Sequence, residues 1–364
     1  MNLIIQSDIN SIISEYGITK ATYGINHFFF NTNHKENITY GSDLEKKSWK
    51  TNFYQNPCDY EYEFVLKLKD AMFVDNSKII IDINKNVLLT HPSVDLIYSS
   101  NEYTHIYDGI KINKKYNLNG RVLLLSSTFG AEYWHFLFQV LPRLRITSLF
   151  NLCLDSFDYI VFPELRKYVK DWLKIIDFPI DKIIECPNPI SGNAGNAYYC
   201  SELYAPSNYQ YPNLESITFL RNNVSKHIQD GNRLIYFTRK GQKRGRHIVD
   251  EDSLFKISLE KFGFEYILID ELSILQQVQL ISSARIIIAP HGGLFANCIY
   301  MKKGTTMIEI MHPKYMNHVI GYIARSLNML RFYCIGIEHE ENILLGTNKI
   351  ELIDQCIENC LSNG

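Results

Sequence analysis

The sequence predicts an α/β protein of two doubly wound domains behind a β-rich preface, and three observations carry that prediction. From Asp158 onward, short apolar runs that read as strands alternate with helical runs of 3.6-residue period, the order of a parallel sheet wrapped by helices. Between Phe64 and Leu125, apolar and polar residues alternate in short stretches punctuated by Asp75-Asn76 and Asn84-Lys85-Asn86, as in strands joined by turns. In the stretch 285–310, a strand (Ile286, Ile287, Ile288) breaks at Ala289-Pro290-His291-Gly292-Gly293. It continues as a short helical run (Leu294 to Tyr300) and returns as a strand (Thr306 to Ile310). At 364 residues, 46% apolar and 21% charged, the chain is long enough for two domains that each bury a core.

Met1 to Tyr62 is irregular and polar, with one helical candidate, Ile4 to Tyr16, and no legible chemistry. Strands are predicted at Phe64 to Leu68, Lys78 to Ile83, Val87 to Thr90 and Val122 to Leu125. A helix over Tyr133 to Leu144 comes next, then strand (Tyr159 to Phe162), helix (Glu164 to Ile176), strand (Lys182 to Glu185) and strand (Ala197 to Leu203). The helix Leu214 to His227, closed by Asp230-Gly231-Asn232, sets the domain boundary, giving a first domain over 1–228 and a second over 229–345. The second domain reads as strand (Arg233 to Phe237), helix from Leu254, strand (Tyr266 to Ile269), helix (Leu272 to Ser282), the 285–310 stretch, helix (Tyr315 to Leu327) and strand (Arg331 to Ile335). Residues 346–364 carry apolar positions at Ile350, Ile353, Ile357 and Leu361, an amphipathic helix expected to pack back on the first domain.

With 37 Lys+Arg against 39 Asp+Glu, the overall charge points to neither a nucleic-acid nor a membrane-surface protein. The eight cysteines include no Cys-x-x-Cys pair and read as small hydrophobes in a reducing compartment. No apolar stretch approaches the roughly 18 to 20 residues that cross a bilayer. The expectation is a soluble, cytoplasmic protein with at most peripheral membrane contact.

Three stretches bear on chemistry. A buried strand that stops at glycines and turns into a helix leaves the helix's first N–H groups free, and these attract phosphate. Gly292 and Gly293 let backbone approach a ligand, and His291 can donate to a phosphate oxygen or a leaving group. The same His-Gly-Gly also makes esterase oxyanion holes, but the chain has no Gly-x-Ser-x-Gly nucleophile elbow. In Thr238-Arg239-Lys240-Gly241-Gln242-Lys243-Arg244-Gly245-Arg246-His247, basic side chains follow a strand end, where an α/β sheet binds ligands. Arginine's planar fork favours Arg239 and Arg244 as diphosphate contacts, and the lack of interleaved aromatics speaks against nucleic acid. On the helix after Gly130, winding at about 100° per residue puts Glu132, His135, Gln139 and Arg143 on one edge. That edge reads either as a plain solvated face or as a wet functional one supplying proton transfer. Asp250-Glu251-Asp252 spells the metal-binding Asp-x-Asp of some sugar transferases, but its place directly before an apolar-periodic run reads as a helix N-cap and first turn.

Together these stretches resemble glycosyltransferase family 61. The carrying residues are Tyr133-Trp134-His135-Phe136-Leu137-Phe138 with Leu141-Pro142-Arg143-Leu144, then Tyr236-Phe237-Thr238-Arg239 with Arg244 and Asp250-Glu251. The third set is Ala289-Pro290-His291-Gly292-Gly293-Leu294 with Asn297, Gly304-Thr305-Thr306 and Ile308-Glu309-Ile310. The resemblance implies a GT-B fold of two Rossmann-like domains facing across a cleft, with a nucleotide-sugar donor, expected to be a uridine diphosphate sugar, in the C-terminal domain. It also implies a polysaccharide or glycolipid acceptor on the N-terminal side and inversion without a metal or other cofactor. On it, Thr238, Arg239, Arg244, His291, Gly292, Gly293, Asn297 and Glu309 are expected to hold the donor, with Glu309 either on the ribose hydroxyls or as a structural carboxylate. Trp134, Gln139 and Arg143 are expected on the acceptor side. Gln139 stands where the family commonly carries an acid and cannot act as a base, so His135 is expected as the base or base-orienting group, with Glu132 as its substitute. The alternative is a catalytically silent nucleotide- or glycan-binding protein.

Overall fold

A computed structural model of the chain describes residues 4–6, 17–18, 63–75, 79–84, 87–89, 112–127, 129–186, 195–207, 212–242, 245–316 and 319–362. They fall into two compact units, the first running to Asn223 and the second starting at Val224.

The first unit is built on a nine-stranded mixed sheet. Its strands are β1 (Ile4–Gln6), β2 (Gly17–Ile18), β3 (Val65–Val74), β4 (Ile79–Asp82), β5 (Val87–Leu89), β6 (Ile112–Leu124), β7 (Tyr159–Pro163), β8 (Ile183–Cys186) and β9 (Gly195–Pro206). They lie in the order β1-β5-β4-β3-β9-β6-β7-β8, with β2 beside β3. β9, β6, β7 and β8 are mutually parallel, while β3 runs antiparallel to β9 along almost its whole length. The expected β-rich preface is therefore continuous with the α/β layer. Leu66, Leu68, Ala71 and Phe73 of β3 share one core with Val122, Leu124, Val161 and Leu203. Ile4–Gln6 is a strand paired with β5, contrary to the helix expected from Ile4, and the next residues of that stretch lie outside those described.

After β6 the chain enters the helix 133–149, which is α-helical at Tyr133–His135, widens to a π turn over Phe136–Val140 and resumes as α over Leu141–Leu149. The Leu141 N–H reaches back to Phe136 O, and Pro142, next in line, has no N–H to restore the tighter ladder.

The second unit is a five-stranded, all-parallel sheet: β10 (Arg233–Phe237), β11 (Glu265–Ile267), β12 (Ala284–Pro290), β13 (Thr306–Met311) and β14 (Leu330–Ile335), in the order β11-β10-β12-β13-β14. Sheets covered on both faces need continuous apolar strands, and Ile286, Ile287, Ile288, Ile308 and Ile310 are buried accordingly. Helix Ile274–Ser282 opens on a capping box between Ser273 and Gln276. A hairpin, β15 (Ile337–His339) and β16 (Asn342–Leu344), leads to the closing helix Gly346–Ser362. That helix packs on the second unit's own sheet. Ile350, Ile353 and Ile357 are buried in one cluster with Tyr236, Ile286, Ile288 and Ile308, because the second sheet's outer face needs a cover. Among the described residues no helix is long and apolar enough to cross a membrane.

Candidate functional site

In a parallel sheet of this strand order the direction of winding reverses between β10 and β12, and the crevice outside the carboxyl ends of those two strands is where such sheets bind ligands. Thr238 and Arg239 follow β10 directly, and His291, Gly292 and Gly293 follow β12. Two basic residues distant in sequence thus meet at one sheet edge. Arg239 crosses the glycine turn so closely that a Cβ on residue 292 would lie 2.2 Å from Arg239 Nη1. Gly292 is extended (φ 174°), so close approach rather than backbone conformation demands glycine there. Arg239 Nε donates to Gly245 O at 3.4 Å, and the Gly245–Arg246 backbone is pinned by an Arg246 N–H···O bond to Glu341 of 2.7 Å. Gly245 itself is left-handed (φ 58°), and a Cβ on it would meet Glu341 O at 2.7 Å.

The run after the turn, Gly293–Tyr300, is 3-10 rather than α-helical and fully buried past its first residues. It still leaves its first N–H groups without partners inside the helix, directly beside Arg239.

Register explains what lies beneath the turn. Ala289 of β12 pairs with Glu309 of β13, and Met307 of β13 pairs with Arg331 of β14. Side chains two residues apart share a sheet face, which brings His291 and Arg331 to Glu309 from either side. Glu309 is fully buried; its Oε1 meets His291 Nδ1, and its Oε2 accepts from Arg331 Nε at 3.0 Å and from Arg331 Nη2. Burial alone would push the Glu309 carboxyl up, but the Arg331 guanidinium and the His291 ring hold it down at about 2. Both Glu309 oxygens face His291 and Arg331 inside the protein, the arrangement of the structural carboxylate that is the alternative to a ribose contact. On the outer side, the Tyr315 ring lies 5.4 Å from that of His291 and carries the Arg246 guanidinium at 4.6 Å.

Other candidates act on the scaffold. Thr238 Oγ1 accepts the Lys240 N–H at 2.9 Å and shapes the turn after β10. Asn297, buried, donates to Gln277 Oε1 at 2.8 Å and ties the 3-10 run to helix Ile274–Ser282. Arg244 lies outside the described residues. Asp250 sits at the N-cap position, yet its carboxylate serves a different partner from the expected cap: it accepts the N–H groups of Leu345 and Gly346, at 3.0 and 2.8 Å. Glu251 accepts the hydroxyls of Tyr236 (2.6 Å) and Tyr266 (2.7 Å), and burial, reinforced by Glu251, pushes the Tyr236 phenol well above its usual range. These two acids thus join β10, β11 and the closing segment to one another.

In the first unit the polar helix edge is mostly not wet. Arg143 is 1% exposed and donates to the carbonyls of Gln139, Leu124 and Ser126, closing the end of β6. Gln139 is 2% exposed, with Oε1 2.8 Å from His135 Nδ1. Glu132, Tyr133, Trp134 and His135, at the start of this helix, retain partial exposure, Trp134 packing on Phe138 at 4.6 Å between ring centroids. Glu132 pairs with Arg166 at 3.5 Å. A glutamine oxygen next to Nδ1 places the proton there and leaves Nε2 as the proton-accepting atom.

Residues 133–308 match the family model Glycosyltransferase 61. The chain carries a glycosyltransferase family 61 domain. No curated protein matches the chain. The family 61 stretch opens on the Trp134-His135 helix and closes in β13, so it includes both the His135–Gln139 pair and the Arg239–Gly292 turn. A family 61 domain supports glycosyltransferase activity, which implies a sugar donor and an acceptor as substrates. Arg246, Tyr315 and Arg331 surround the turn without having stood out in the sequence. An acid isolated inside the apolar strand Thr306–Met311 was the one available signal, because a buried carboxylate requires a cation.

Proposed function

We propose that this glycosyltransferase is a GT-B-type, inverting enzyme that transfers a sugar from a uridine diphosphate donor to a surface polysaccharide or glycolipid, neutralising the leaving diphosphate with arginine and backbone N–H groups rather than a metal. The observation that carries the reading is the meeting of Arg239 with the His291-Gly292-Gly293 turn at the two strand ends where the sheet reverses. A guanidinium fork and the first N–H groups of a helical run are the groups that stabilise a diphosphate as its charge develops. The donor is held by the second unit and the acceptor by the first. In a single displacement the acceptor oxygen bonds to the anomeric carbon as the carbon–oxygen bond to phosphate breaks, and His135 Nε2 takes the acceptor's proton. The protein acts in the cytoplasm, with at most peripheral contact with a membrane carrying its acceptor.

A thermal-shift screen of nucleoside diphosphates and nucleotide-sugars tests the donor class: a ligand at about 100 times its Kd adds about 2.7 kcal/mol of stability. Stabilisation by uridine nucleotides above all others is expected, and indifference to every nucleotide would remove the proposal. The second reading, a silent binding protein, draws on Glu132 being paired with Arg166 and on Gln139 standing beside His135. Donor binding with neither transfer nor donor hydrolysis would favour it.

A further inference from the structure

We propose that Glu309 is a positioning residue for His291: with Arg331 behind it, the buried carboxylate fixes the imidazole through Nδ1, so that Nε2–H is the group offered to a phosphate oxygen of the donor. The inference rests on the donor-site reading above and adds to it the atom by which His291 binds and the two residues that aim it.

The geometry carries the step. A ring held at Nδ1 by a carboxylate has one nitrogen left for a ligand, and hydrogen bonding of the other nitrogen sets which proton is where. Glu309 is fully buried and Arg331 nearly so, so the pair is a fixed internal charge assembly rather than a surface ion pair. With Nδ1–H committed to Glu309, a donating Nε2 makes the ring an imidazolium, whose counter-charge is that same carboxylate. Arg331 takes the second oxygen, which prevents the carboxylate from turning away from the ring. The register that pairs Ala289 with Glu309 and Met307 with Arg331 builds the assembly into the sheet, directly below the turn that Arg239 crosses. His291 could alternatively act as a proton acceptor through a bare Nε2. The adjacent Arg239 guanidinium instead marks this edge as one that receives anions, and an anion calls for a donor.

The test uses the full chain and calorimetric titration with UDP, ADP, GDP, CDP and TDP, plus inorganic pyrophosphate as a base-independent probe. His291→Asn keeps an amide N–H where Nδ1 stands and lacks the Nε2 position, whereas His291→Gln reaches that position. His291→Asn is expected to weaken binding of the preferred diphosphate about tenfold, and His291→Gln to retain most of it. In the cycle, Glu309→Gln is expected to cost about tenfold in the wild-type background and little in His291→Asn, with melting temperature followed alongside. Equal cost in both backgrounds, or undiminished binding by His291→Asn, would overturn the positioning role while leaving the donor site standing. Should Glu309→Gln not fold, Glu309→Asp, which draws the carboxylate back from Nδ1, takes its place in the cycle with the same expected and overturning results. Failure of the wild-type chain to bind any diphosphate would overturn the donor-site reading and this proposal together.

Discussion

Gly292 has no room for a side chain because Arg239 occupies it, and the cost of adding one falls on the site rather than on the fold. The obstructing atom is the far end of a flexible side chain, so Gly292→Ala is expected to swing the Arg239 guanidinium away from the turn. Diphosphate affinity should drop about tenfold, about 1.4 kcal/mol, with the melting temperature nearly unchanged; calorimetry and a thermal scan read both. Glu309 sets an acid limit on stability. Its folded pKa of about 2 lies below the ordinary carboxylate value of 4.5, so its contribution is fully present above about pH 4.5 and is lost as pH falls towards 2. A shift of that size corresponds to roughly 3 kcal/mol, and Glu309→Gln is expected to flatten the acid-unfolding curve over that window in circular dichroism. Arg143 belongs to the same scale with the opposite emphasis. Arg143→Leu strands carbonyls at the end of β6, each worth about 1–3 kcal/mol, so it should lower stability in denaturant melts before it alters any substrate constant.

Among elements, the parallel strands of the second sheet were the most legible in the sequence, since Ile286-Ile287-Ile288 and Thr306 to Ile310 are apolar runs bounded by glycine turns. The turn itself at Gly292-Gly293 was legible for the same reason. Burial of Gln139 and Arg143 was not, because a uniform 100° winding takes no account of the π turn at Phe136–Val140 or of the β6 carbonyls that require a donor. Neither was the Glu309–Arg331 pair, whose partners meet only through the register of β13 and β14. The closing helix shows a further limit. Its apolar stripe at Ile350, Ile353 and Ile357 was readable, whereas the surface it covers depends on which sheet face lies open. Ile357→Ala is expected to cost about 2–5 kcal/mol, and denaturant unfolding with hydrogen exchange should place that loss in the second unit's strands.

At the scale of the molecule, the chain forms two units with separate cores, and on the proposed reading the second holds the donor and the first the acceptor. Binding of a nucleoside diphosphate is expected to slow amide exchange at 238–242 and 291–295 and to leave β3 and β4 unchanged, as mass spectrometry of exchanged peptides would read. On the proposed reading, Arg239 and the glycine turn together grip a diphosphate. Titration of the wild-type chain and of Arg239→Met with UDP in a calorimeter tests it most directly: the wild type should bind and the variant should lose at least about tenfold in affinity. Equal binding by the two chains would contradict it.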